Sequence, residues 1–269
     1  MLIPTAHRGA AAARNVGIEH ADGRYLWFVD ADDTVDAVHF RALLQVLESL
    51  PPDVQMLHTG NYHILSRPNR MPSLAAPQPG ASGSATLATV LLPQSGCLDM
   101  FTWIVATEWL RNNPALRFPE EHALLEDSML VLRMLDSEAR MMENSTLSPY
   151  LHHVYGDSST SGAWSPARCA DRMNDVTAFF TAFRTFVLQH PSVPCMHSLY
   201  DRYRYVYLRV MAVKGCPAAL LDRLRGQLLD DEALPYTPHG FRQRMLYCRT
   251  THHALAWLCR QLRNTCPSC

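Results

Sequence analysis

The sequence predicts an α/β protein: a Rossmann-like mixed sheet within residues 1–165 and a helical C-terminal region over 166–269. Three observations lead there. The apolar run Tyr25-Leu26-Trp27-Phe28-Val29 has the length and composition of a strand buried on both faces. An alanine-rich segment, Ala10 to His20, is helical by propensity and stands immediately before that strand, making an αβ unit. From Ala167 onward the pattern is helical throughout, over 167–190, 197–213, 217–230 and 240–263.

Along the chain, Leu2-Ile3 reads as the end of a short strand and His7-Arg8-Gly9 as a turn. Gly23 is suited to a left-handed cap at the end of the first helix. Asp33-Thr34 can cap the next helix, about Val38 to Leu50, where Phe40, Leu43, Leu44 and Leu47 form an apolar stripe. Val54 to Ile64 holds one or two strands. Ser66 to Gly96, rich in Pro, Ser, Ala and Gly, reads as a loop over a site or a plain surface excursion. Phe101 to Leu110 and Glu126 to Glu138 read as helices, and a short strand is expected near Ser148 to Val154.

Composition narrows the class. An apolar fraction of 48% and a charged fraction of 18% suit a globular protein, and a net charge of -1 argues against nucleic acid as a partner. The charge is uneven: Arg172 to Cys269 carries 13 basic and 6 acidic residues, against 11 and 19 before it. The start lacks the basic segment and long apolar core of a signal peptide, and no apolar run is long enough to span a bilayer. Eight scattered cysteines suit reduced thiols of a cytoplasmic protein; Cys266 and Cys269 have redox or zinc spacing, but a frayed tail explains them better.

The chemistry gathers where the strand at 25–29 ends, in Asp30-x-Asp32-Asp33. Ligands of open α/β sheets bind beyond the carboxyl ends of strands. Carboxylates this close repel one another unless a cation or hydrogen-bond donors compensate. Oxygen ligands suit Mg²⁺ or Mn²⁺, and these suit phosphates. An Asp-rich turn is the plainer reading of the same residues.

The order of parts resembles the family 2 glycosyltransferases, inverting enzymes of the GT-A fold. The matching string is Gly9-x-x-x-Ala13-Arg14-Asn15-x-Gly17-Ile18-x-x-Ala21-x-Gly23-x-Tyr25-x-x-Phe28-x-Asp30-x-Asp32-Asp33. Leu116-Arg117-Phe118-Pro119-x(6)-Glu126-Asp127 and Tyr150 with Ser158-Ser159-Thr160 continue it, so the resemblance covers about 2–165. It implies a nucleotide-diphosphate sugar donor and a glycan or lipid-linked acceptor in surface polysaccharide synthesis. It implies Asp32 as ligand of Mn²⁺ or Mg²⁺, and Asp30 at the ribose or the metal shell. Asp33 is a supporting or capping residue, and Arg14 and Asn15 lie on the donor side. Asp127, paired with Glu126, is the base for the acceptor hydroxyl. One of His152 and His153 can face the metal or diphosphate.

The family's opening strands, ending near Pro-x-Tyr-Asn and in an Asp-Asp-Gly-Ser-like segment, are not present here, so an N-terminally truncated GT-A domain is expected. The rival readings are a non-catalytic remnant that binds a partner or membrane, and a Mg²⁺-dependent phosphotransferase. The Arg- and Trp-bearing stretch 240–263 suits either peripheral contact with the inner face of a membrane or core packing.

Overall fold

The computed structural model describes residues 2–60, 62–65, 73–91, 98–154, 163–193 and 195–237. The chain divides into two compact units, Met1–Val154 and Tyr155–Cys269.

The first unit is a mixed α/β layer. Helix α1 (Ala10–His20) leads to β1 (Tyr25–Trp27) and the two-residue β2 (Thr34–Val35). Helix α2 (Ala37–Ser49), β3 (Met56–Thr59) and β4 (His63–Leu65) follow. Next come β5 (Gly83–Ala85), the short α3 (Leu87–Val90), β6 (Trp103–Ala106) and α4 (Thr107–Arg111). Helix α5 (Glu126–Leu135), β7 (Met141–Asn144) and β8 (Tyr150–His153) complete the unit. One sheet has the order β1-β6-β3-β7-β5, with β3 and β7 parallel and the other pairs antiparallel. A second, three-stranded sheet has the order β2-β8-β4. Ala42, Leu43 and Val46 from α2, with Leu50 just after it, pack on Leu57, Ile104 and Leu147, which joins helix and sheet in one core.

Several expectations from the sequence change here. Strand β1 is half-buried and borders the larger sheet, with β6 its neighbour, so it is not covered on both faces. Leu2-Ile3 forms no strand. The segment expected as a helix from Phe101 to Leu110 is helical only at its end, in α4; its middle is β6, a strand flanked by β1 and β3. Trp103, Ile104 and Val105 are each at most 1% exposed there, and burial between two strands overrides local helical periodicity. The described part of 66–96 is not a bare loop, since Gly83–Ala85 adds an edge strand to the sheet. Gly23 is not left-handed; α1 ends at Ala21 in an extended conformation. Its last carbonyls are instead met by Arg111, whose guanidinium donates to Ile18 at 3.4 Å and to Ala21. The cap of α2 is Asp36, accepting from the Val38 and His39 amides at 3.0 and 2.9 Å, not Asp33-Thr34.

Two backbone points are demanding. Gly60 lies where the chain leaves β3 beside the turn before β8, and a Cβ there would stand 2.2 Å from the Ser145 carbonyl oxygen. Leu125, buried and immediately before α5, has φ 68, a left-handed conformation costly for a branched side chain.

The second unit contains α6 (Pro166–Gln189), α7 (Met196–Val213) and α8 (Ala218–Leu229). Ser165 caps α6 by accepting from the Arg168 amide, and Pro166 occupies the position where a missing amide costs nothing. Phe179, Phe180 and Phe183 interlock with Tyr200, Tyr203 and Tyr207 across α6 and α7. The thiols Cys169, Cys195 and Cys216 are free. The expected helix at 240–263, Cys266, Cys269 and Ser158-Ser159-Thr160 lie outside the described residues. No helix among the described residues is long and apolar enough to cross a membrane.

Candidate active site

Arg14, on α1, draws the two acidic stretches together. Its guanidinium donates at 2.8 Å to Asp30, in the turn after β1, and at 2.9 Å to Glu126, at the start of α5. These partners lie 16 and 112 residues away in sequence. Burial alone would lower the arginine's pKa, but Asp30, Asp127 and Glu126 raise it, so the cation is fixed. Phe118 lies under the guanidinium, 5.4 Å from ring centre to the carbon. Asn15, one residue on, donates to the Phe118 carbonyl and accepts from its amide, both at 2.9 Å. That pairing fixes the loop leading to α5, so the Asn15 amide is occupied by the chain itself. A shallow cavity of about 540 Å³ lies alongside, lined by Arg8, Asn15, Glu19, Arg117 and Glu120 among others.

The three carboxylates of Asp30-x-Asp32-Asp33 have separate environments. Asp30 is held by Arg14. Asp33 is turned inward, its side chain 1% exposed. It accepts from Tyr150 Oη, from His152 Nδ1 at 3.0 Å and from the His153 amide at 2.8 Å. Burial would raise its pKa, but those hydrogen bonds prevail and hold it below the usual carboxylate range. Asp33 therefore ties the acidic turn to β8. Asp32 is exposed in the turn and forms no ion pair among the described residues.

At the start of α5 the two acids also differ. Glu126 is 14% exposed and neutralised by Arg14. Asp127 is half-buried, and its pKa is pushed up to about 7 by burial, then by the nearby carboxylates of Glu126 and Asp99. A hydrogen bond from the Ser128 amide, at 2.7 Å, and the charge of Arg14 oppose the rise without cancelling it. Three carboxylates thus face one guanidinium, and Asp127, buried and with Asp99 also near, is the one on which negative charge is least favoured.

The sequence pointed to Arg14, Asp30, Glu126 and Asp127, and the structure unites them. It did not point to Asp99, which stands just before the turn Met100–Thr102 with no motif around it. Nor did it point to Tyr62 and Phe101, whose rings meet Tyr150 and His152. His152 faces Asp33, and His153 meets Thr34 Oγ1 at 2.7 Å, as alternating strand residues must face opposite ways.

A divalent ion fits this donor set in one way. Among the described residues no three His, Cys, Asp or Glu side chains form a ready metal cage. Of the three carboxylates in the acidic turn, Asp32 is exposed and forms no ion pair among the described residues. Mg²⁺ is commonly held by one or two carboxylates with substrate phosphates and water completing its shell, and that arrangement is compatible with Asp32.

Comparison with known proteins gives three findings. Residues 2–101 match the family model described as glycosyl transferase family 2. The curated proteins contain no match to this chain. Among solved structures, Staphylococcus aureus TarS residues 1–349 with UDP-GlcNAc is 15% identical, with TM-score 0.48; the alignment covers 98% of this chain and 74% of that one. The same protein with UDP is 16% identical over 96% and 71%, with TM-score 0.46. A longer TarS structure is 15% identical over 96% and 44%, with TM-score 0.49.

Proposed function

From the premise that residues 2–101 are a glycosyl transferase family 2 segment, we propose that this protein is an inverting glycosyltransferase. It moves a sugar from a nucleotide-diphosphate donor to a hydroxyl of a glycan or lipid-linked acceptor. The observation that carries this reading is the Arg14 bridge between Asp30 and Glu126, which brings a donor-side acid and the Glu126-Asp127 pair to one place.

Transfer with inversion needs a base on the face of the sugar opposite the leaving group. Of the two acids on α5, Glu126 is neutralised by Arg14 and Asp127 is not, so Asp127 is the base and Glu126 positions the arginine. A carboxylate raised to about 7 holds a proton strongly enough to draw it from the acceptor hydroxyl and is still largely ionised at slightly alkaline pH. Arg14 keeps the donor-side turn and α5 in register, with Asp30 directed toward the ribose or diphosphate. Asp32 would hold Mn²⁺ or Mg²⁺, which when bound neutralises charge on the departing diphosphate. Asp33 acts from behind, fixing the turn against β8.

The test is direct. The full chain is incubated with a panel of nucleotide sugars, Mn²⁺ or Mg²⁺ and pyranoside acceptors, and release of nucleoside diphosphate is followed. Transfer that disappears in Asp127→Asn and in Asp32→Ala supports the assignment. Transfer that survives both substitutions refutes it.

A further inference from the structure

We propose that the rings of Phe101, Tyr62 and His152 form a shelf on which a pyranose ring of the acceptor stacks, with a hydroxyl directed to Asp127. This rests on the transferase reading above and names the acceptor side of the same site.

The shelf is built from three separated segments. Phe101 lies flat on Tyr150, with ring centres 4.2 Å apart and planes 12° apart. It is also parallel to His152, at 6.3 Å and 10°. Tyr62 meets Phe101 edge-on at 4.6 Å and 85°. Support comes from behind. Trp27 Nε1 donates to the Phe101 carbonyl at 2.7 Å, and its ring sets its edge against Tyr150. The buried Asp33 carboxylate holds both the Tyr150 hydroxyl and the His152 imidazole. The rings are not sealed in: Tyr62 and Phe101 are half-buried and the His152 side chain is 38% exposed. Rings assembled only as core would be covered as Trp103 is, at 0%.

Position and charge identify the occupant. The turn Met100–Thr102 packs against α5, which begins with Glu126 and Asp127. Phe101 thus belongs to a turn that touches the helix bearing the proposed base, and Asp99, just before that turn, acts on Asp127. The border of the shelf is acidic, with Asp30 and Asp99 close by. A sugar ring presents an apolar C–H face to an aromatic ring and donates hydrogen bonds from its hydroxyls to carboxylates. A nucleobase rich in carbonyl oxygens would set acceptor against acceptor on the same border.

The test uses the full chain, the variants Phe101→Leu, Tyr62→Leu and Phe101→Tyr, and a panel of methyl pyranosides and disaccharides of gluco, galacto and manno configuration. Saturation-transfer NMR reads binding, steady-state kinetics read transfer, and thermal melting checks that each variant is folded. Loss of one stacking ring is expected to raise the acceptor KM roughly fivefold to tenfold. The donor KM should move less than twofold, and Phe101→Tyr should restore acceptor affinity. An acceptor KM within twofold of wild type in both leucine variants overturns the shelf, as does a donor KM that rises equally. If wild type transfers no sugar, the transferase reading fails on its own. Binding then still decides the shelf: pyranoside signals lost in Phe101→Leu support it, and signals equal in both proteins, or absent from wild type, overturn it.

Discussion

Two arginines, one in each unit, show how the same side chain serves different ends. Arg204 on α7 is 0% exposed; it donates to Asp201 and, at 2.9 Å each, to the carbonyls of Leu228 and Leu234. Tyr200 and Tyr236 lie over it at 4.4 and 5.2 Å. One carboxylate meets one cation there, and the second Asp201 oxygen accepts from the Thr237 amide at 3.1 Å. Arg14 faces three carboxylates, Asp30, Glu126 and Asp127, with Asp99 near the last. The first knot is neutral and ties α7 to α8 and the chain after it. The second is left with unbalanced negative charge, which adds to burial in raising the Asp127 pKa. A buried charge that is fully matched builds structure; one that is outnumbered leaves a group prepared for chemistry.

The contrast is sharpest in Asp127→Asn. Turnover should fall about 10²- to 10⁴-fold, the usual contribution of a positioned base. Stability should rise, because the folded protein carries Asp127 with a pKa near 7 against 3.8 for the ordinary group. The native state thus binds this proton more tightly than the unfolded chain, and ionisation costs stability as pH climbs from about 4 to about 7. The gain from Asn, on the order of 4 kcal/mol, should be full at pH 8 and vanish below pH 4 in denaturant titrations.

Arg204→Leu should have the opposite profile. Leaving Asp201 buried without its cation should cost about 3–5 kcal/mol, read as loss of helical signal on melting. Arg14→Gln should cost less, about 2 kcal/mol, because its carboxylates keep some contact with water. It should also raise the Asp127 pKa, moving the acid limb of the pH–rate profile upward. If Arg14→Gln proved more damaging to stability than Arg204→Leu, the division into a functional and an architectural arginine would fail.

Smaller effects probe the frame. Gly60→Ala should cost about 1–3 kcal/mol, since its Cβ would meet the Ser145 backbone rather than a yielding side chain. Asp36→Ala should remove about 1 kcal/mol by uncapping α2. Both are measurable as shifts in denaturation midpoint.

What could be read from the sequence follows from locality. Helix α5 and its opening acids were legible because the apolar spacing and the acids lie in one stretch. Strand β6 was not, because Trp103 to Ala106 resembles a helix start until β1 and β3 are placed beside it. The end of α1 was misread for the same reason, since its cap is a guanidinium from Arg111 rather than a nearby glycine. In the site, Asp30 and Asp127 were visible as motif residues. Their union through Arg14 was a contact across 112 residues, and Asp99, Phe101 and Tyr62 carried no local signal at all. Asp33 was read as a supporting or capping residue beside Asp32, but the long-range contacts to Tyr150 and His152 that turn it inward had no local signal.

The most direct measurement is the titration of the Asp127 carboxyl by carbon-13 NMR in the full chain, assigned by its absence in Asp127→Asn. A midpoint near 7 is the result expected of a carboxylate that is buried, crowded by Glu126 and Asp99 and only partly relieved by Arg14. A midpoint near 4 would mean that the cluster is balanced, and Asp127 would have no claim to the acceptor's proton.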